Sequence, residues 1–221
     1  MTDVEISVRG SHTVTLPPEQ ATVYASVSAD GPDPGPVVQQ VADTLAEVAA
    51  SLQSAHDPDR GPVTHYAVEQ IRTGAHRPYN QDGRQLPLVH TAVAPTVATF
   101  VDFDALTAWI GRTAGLPGMG VNGIDWALSA VRRRAVEREA RQEALRDAKR
   151  RAQDYADALD LGAVAVRSVT DPGLSGPGQA KVVMARAVAD PAGGQPEIGL
   201  RPADVEIEVY VEATFTVVGP A

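Results

Sequence analysis

Among the residues whose types and spacing could do chemistry, the glycines of Gly118-Met119-Gly120-Val121-Asn122-Gly123 stand first, because they match G-x-G-x-x-G. In dinucleotide-binding folds that spacing follows a strand and opens a helix, whose amino terminus holds the pyrophosphate. Here a helical apolar period precedes the glycines and β-alternation follows them, so the segment reads as a helix-to-strand turn without a phosphate cradle. His12, His56, His65, His76 and His90 are the only imidazoles, and none stands in H-x-x-x-H or H-E-x-x-H spacing. His65 and His90 fall on β-like stretches that could be neighbours, which leaves a composed site open. Gly173-Leu174-Ser175-Gly176-Pro177 fails the serine-nucleophile elbow G-x-S-x-G at its last position. Glu206 and Glu208 alternate on a terminal β-pattern, the spacing of a solvated strand face more than of an acid–base pair. There is no cysteine, hence no thiolate nucleophile, disulfide or cysteine-held metal. No catalytic, cofactor-binding or metal-ligating residue is assigned, and the chain is expected to be no enzyme and to need no cofactor.

The elements that would have to position such residues come from a chain of 221 residues, 43% hydrophobic and 21% charged, which are ordinary globular values. No apolar run approaches the roughly 18 residues of a membrane span. The opening Met1-Thr2-Asp3-Val4-Glu5 lacks the basic and apolar regions of a signal peptide, so a cytoplasmic location is expected. The net charge of −9 argues against nucleic-acid binding, which needs clustered positive charge. Residues 129–160 run against that trend, with nine basic and seven acidic residues, including Arg132-Arg133-Arg134. Glu137/Arg141, Asp147/Arg151 and Arg150/Asp154 are spaced to pair along a helix, so this cluster reads as a solvated helix face.

Alternation predicts strands at Val4–Val8, Gln20–Ala29, Val63–Thr73, Leu88–Val101, Val121–Leu128, Ala163–Val169, Lys181–Val188 and Val205–Val217. On Leu88–Val101 one face carries Val89, Thr91, Val93, Val97, Thr99 and Val101, with Pro95 marking a bulge or an edge. A polar hairpin-like turn is expected at Tyr79–Arg84. Three- and four-residue apolar steps predict a helix over Val37–Ser54, and Asp104 is read as the N-cap of a short helix at Ala105–Ala114. Residues 19–128 therefore follow β-α-β-β-α-β, the ferredoxin-like order, with both helices on one face of an antiparallel sheet. A long helix capped by Ser129 and three strands complete an α+β fold, read as one domain over 1–221 with a subdivision into 1–128 and 129–221. Ala140, Ala144, Ala148, Ala152 and Ala156 recur every fourth residue on the long helix. They form a ridge of methyls that permits close approach of another surface, either the chain's own sheet or a second subunit.

Several of these segments resemble the SIMPL-domain family, proteins known as a domain of unknown function. Ile6-Ser7-Val8-Arg9-Gly10 is similar to the family's I-x-V-x-G opening, and Pro18-Glu19-Gln20-Ala21-Thr22-Val23 to its P-D-x-A-x-V, with glutamate for aspartate. Val68–Thr73 followed by Arg77-Pro78-Tyr79 resembles V-x-T…P-x-Y, and Gly120–Trp126 falls where members carry a glycine turn and strand. The alanine helix leading to Leu159-Asp160-Leu161-Gly162 resembles A-x-x-x-A…A-x-x-L-G. Leu200-Arg201-Pro202-Ala203-Asp204 departs from the family's usual glycine turn. The resemblance implies an α+β fold that often oligomerises, with exported, stress-linked bacterial members and animal signalling adaptors, and it carries over no catalytic residue.

The functional expectation is a bacterial, non-enzymatic, self-associating scaffold or stress-related interaction module, a homo-oligomer without nucleic acid or membrane span. The alternative is a small-ligand binding protein or an uncharacterised enzyme, with its site on the sheet and the loops around Tyr79 and Trp126.

Overall fold

The computed structural model describes residues 3–79, 85–171 and 200–218. In chain order the elements are β1 (Asp3–Leu16), β2 (Gln20–Gly31), α1 (Pro34–Ala55), β3 (Val63–Val68), β4 (Arg72–His76), β5 (Val89–Phe100), α2 (Phe103–Thr113), β6 (Met119–Ala127), α3 (Ala130–Ala158), β7 (Ala165–Thr170) and β8 (Val205–Val218). They fall into two compact units, one holding β1, α3, β7 and β8, the other holding β2 to β6 with α1 and α2. The expected strand at 181–188, the serine segment 173–177 and residues 80–84 of the expected turn lie outside the described residues.

The second unit is an antiparallel sheet in the order β3-β5-β2-β6, with β4 also paired to β5. Counted without β4, that order is the ferredoxin-like one the sequence predicts. β3 and β4 replace the single expected stretch at 63–73. Both lie along β5, and the Glu69 N–H donates to the Pro95 carbonyl between them. Alternate residues of β2 and β5 (Ala21, Val23, Ala25, Val27; Ala92, Ala94, Thr96, Ala98, Phe100) face inward under Val37, Val41, Val48 and Leu52 of α1 and Leu106 and Trp109 of α2. Small inward side chains let the helices lie close to the sheet, and Phe100 and Trp109 fill the deepest part with rings 5.6 Å apart. The valine-bearing face of β5 is thus the open one. The N-cap of α2 is Asp102, whose carboxylate accepts the Ala105 N–H at 2.9 Å. Asp104, expected in that role, lies in the first turn, where its charge favours the helix dipole.

In the first unit the order is β1-β8-β7, all antiparallel. β1 is nearly three times as long as Val4–Val8 suggests, and it belongs with β8 instead of with the ferredoxin-like part. Gly10, Ser11 and His12 interrupt its apolar alternation without ending it. The interruption has a cause in α3. A Cβ on Gly10 would lie 2.6 Å from the Ala148 backbone nitrogen and closer still to the Ala144 carbonyl. Strand and helix therefore touch backbone to backbone, which requires glycine on one side and alanine on the other. Ala140, Ala144, Ala148, Ala152 and Ala156 are all at most 2% exposed, so the ridge packs on the chain's own sheet, among Ile6, Val164, Ala213, Phe215 and Val217.

Asp147 completes this contact. Its carboxylate accepts the Ser11 N–H of edge strand β1 at 3.2 Å and pairs with Arg151 at 2.9 Å and Arg150 at 3.3 Å. Arg150 thus bonds Asp147 and not the expected Asp154, whereas the Glu137–Arg141 pair forms as expected at 3.5 Å. Partial burial alone would raise the Asp147 pKa. The Ser11 N–H, then Arg151 and Arg150, outweigh it and hold the carboxyl below its ordinary value.

Two outcomes follow for this contact. Gly10→Ala and Ala148→Leu each overpack it and are expected to cost about 1–3 kcal/mol, roughly 2–12 °C in Tm, while Gln142→Leu on the exposed side of α3 changes Tm by at most about 2 °C. Thermal melts by circular dichroism measure all three. A depressed folded pKa stabilises above the unfolded carboxylate value near 3.9 and loses that contribution as pH falls through the folded value. Asp147→Asn should therefore melt below wild type at pH 7, with the gap closing as melts are repeated toward pH 2.

Candidate functional site

The histidines do not meet. His56 closes α1, with its Nδ1 3.1 Å from the Val63 carbonyl and its ring edge-on to Tyr66, a structural position. His65 on β3 is level with Thr99 of β5, whereas His90 is level with Ala75 of β4, nine residues further along β5 and so about 30 Å away. His76 stands next to that position but pairs with Val89, which puts it on the opposite face from His90, and His12 belongs to β1 in the other unit. Among the described residues no three histidine or acidic side chains converge as a metal set would. Glu206 and Glu208 lie on the outer face of β8, level with Thr15 and Thr13, beside the Arg9–Glu212 pair at 2.7 Å. Of the arginine triplet, Arg133 is bonded to Glu137 at 3.0 Å.

Gly118 lies in the turn after α2 and Met119–Gly123 already belong to β6, so the segment expected as a helix-to-strand turn is mostly strand, and no helix starts directly after these glycines. Gly118 has φ +71°, and a Cβ there would press on the Ser28 carbonyl group, 3.0 Å from its carbon. The glycine serves the turn into β6. Asn122 is the extra residue of a bulge opposite Tyr24 and Ala25, and its amide donates to the Ser26 hydroxyl at 3.1 Å.

Tyr79 and Trp126, around which the alternative site was expected, lie at opposite ends of the sheet. Trp126 is level with Ala21 and through it with Phe100, and its ring packs edge-on against Phe103 at 5.0 Å. Its Nε1 is buried without a partner, as is the Thr96 hydroxyl. Tyr79 is 90% exposed, three residues beyond His76 at the Val89 end.

Two features remain as surfaces able to bind. The first is a half-open groove of about 350 Å³ between the start of α1 and the β4–β5 pair, lined by Pro34, Val37, Val38, Thr73, His90 and Thr91 among others. Pro34 and Pro36 remove two of the four N–H groups a helix start leaves free, and Asp33 makes no side-chain cap, so the groove is poorly equipped for anions. It suits a compact, largely apolar molecule with one group for His90. The second is the open face of the five-stranded sheet. Tyr24 lies at its centre, 41% exposed, beside Val97, and its hydroxyl donates to Asp125. Partial burial, and then the hydrogen bond and charge of Asp125, push the phenol above its ordinary pKa.

The sequence model of SIMPL, a protein of unknown function (DUF541), matches residues 6–215, nearly the whole chain and both units. The chain belongs to the SIMPL family. No curated protein matches it. No helix among the described residues is long and apolar enough to cross a membrane. In this SIMPL chain the motifs behind the resemblance are packing devices: Gly10 and the alanines join β1 to α3, and Gly120–Trp126 forms most of β6.

Calorimetric titration with NAD, NADP, FAD or ATP is expected to give no saturable heat, since Gly118–Gly123 runs into β6 and not into a helix start. Gly118→Ala should still lower Tm, because an L side chain there is strained and meets Ser28.

Proposed function

We propose that this SIMPL protein is a non-enzymatic, self-associating module whose work is to hold copies or partners together, as a scaffold or in a stress-related assembly. The observation that carries the reading is the one-sided packing of the five-stranded sheet. Both helices cover one face, and Tyr24, Val93 and Val97 stand on the other, where Tyr24 and Val93 remain exposed. The scatter of the histidines, and the outward placement of Glu206 and Glu208, support a role other than acid–base or metal chemistry. Light scattering on a size-exclusion column tests it. A mass that is a multiple of 23.2 kDa and holds on dilution to low micromolar concentration is expected, and a monomer at every concentration overturns it.

A second reading, small-ligand binding, is favoured by the groove beside His90. Its sign would be a neutral, low-molecular-weight compound that raises Tm and shifts the His90 ring resonances in NMR spectra. Ala75→Phe, which fills the groove, should abolish both effects.

A further inference from the structure

The register of the five-stranded sheet makes its open face complementary to itself. One row across β3, β5, β2 and β6 reads His65, Thr99, Thr22, Asp125, and the next reads Ala67, Val97, Tyr24, Gly123. Directly paired residues of neighbouring strands point to the same side of a sheet. The Thr22 and Thr99 hydroxyls, 3.2 Å apart, and the Tyr24–Asp125 bond confirm that both rows stand on the open side. Reversed about a line between β5 and β2, the first row sets Asp125 against His65 and threonine against threonine. The second sets Tyr24 against Val97 and Gly123 against Ala67.

The Asp125 carboxylate meets the His65 imidazole, and the one bulky ring meets a smaller apolar residue beside a glycine. We propose that two copies of this chain stack open face to open face, about a two-fold axis running along the strands between β2 and β5. This rests on the self-association reading and names its surface and its partner. Sheets stack about 10 Å apart with strands within about 30° of alignment, and a two-fold of this kind produces that arrangement. The face is about four strands wide and eight residues long. That gives about 1,000 Å² over the two copies, the lower bound for a specific interface. At net charge −9 two copies repel over most of their surfaces, and the centre of this face (Thr22, Tyr24, Val97, Thr99, Ala67, Gly123) carries no charge at all. The opposed His65 and Asp125 fix the register at its rim.

The test is the mass and dissociation constant of the full chain by light scattering and sedimentation, with circular dichroism to confirm folding. Val97→Glu puts two carboxylates into the apolar centre and should halve the mass or raise Kd at least about 100-fold, because like charges there are not compensated. Tyr155→Glu, on exposed α3, should leave the mass unchanged. His65→Asp should weaken the assembly, and adding Asp125→His should restore it. A folded Val97→Glu protein with wild-type mass overturns this interface while leaving self-association through another surface standing. A wild-type chain that is monomeric throughout overturns both. Failure of the double exchange to restore what His65→Asp loses overturns the two-fold register.

Discussion

At Gly10 a strand backbone and a helix backbone come into direct contact, and the first unit is arranged around that approach. A Cβ at that position would stand 2.9 Å from the Ala148 methyl and closer to the helix backbone itself. Dispersion contacts are individually about 0.1–0.2 kcal/mol, so a helix bearing alanines needs contact along its whole length to hold. The ridge from Ala140 to Ala156 supplies that length, about four and a half turns long and almost wholly buried. The residues between the alanines are then free to be charged. They pair with one another (Arg146 with Glu143, Arg151 with Asp147), so the helix presents a polar outer surface and a methyl inner one. Asp147 lies at the border between the two. It is close enough to the sheet to accept the Ser11 N–H and open enough to be served by two arginines, and so it ties off a donor that β1 would otherwise leave at a bare edge.

The ferredoxin-like unit uses the same device with different residues. Alanines and a threonine on the inner side of β5 let α1 and α2 settle close to the sheet, and the β-branched residues are displaced to the outer side. Strand residues with the highest β-propensity therefore do not mark the buried face here. Val89, Val93, Val97 and Thr99 are a β-branched stripe on the side of β5 away from its buried alanines. A hydrophobic stripe left on the outside of a sheet is a stability cost to a monomer in water, and its natural compensation is a second surface.

Much of this was legible in the residues. The β-α-β-β-α-β order, the α+β class, the alanine ridge and the helix-then-strand order around Gly118 all follow from periodicity and turn residues, because those signals are local. What was not legible is what depends on two segments meeting. Val4–Val8 was too short a reading of β1, because Gly10 is demanded by Ala148, some 140 residues away. Asp104 stood in for Asp102 because both carboxylates suit a cap, and only the backbone geometry at Asp102 decides between them. Which side of β5 is buried could not be read from its alternation, since alanine and valine both pass as apolar and the choice is made by how closely α1 lies. The histidines were separated only by the register along β5, which no spacing in the sequence encodes.

The two sheets differ most on the sides that no helix covers. The outer face of β1 and β8 is carried by Glu5, Ser7, Arg9, Thr13 and Thr15 facing Thr216, Thr214, Glu212, Glu208 and Glu206. Such a face is content in water: Arg9 pairs with Glu212 and approaches the Tyr210 ring at 6.0 Å, and Ser7 bonds Thr214. The open face of β2, β5 and β6 has its charges at the edges and Tyr24, Val97 and Pro95 in the middle. The ordinary requirement of a β-sheet, one buried and one solvated face, is met by the first unit and only half met by the second. Among the described residues, the register along β5 sets His65 and His90 at separate levels of the sheet. Recognition needs a charge-poor surface with a rim that fixes orientation, and the rows from His65 to Asp125 and from Ala67 to Gly123 are built that way. The physical asymmetry between the two sheets is thus what the proposed self-association rests on.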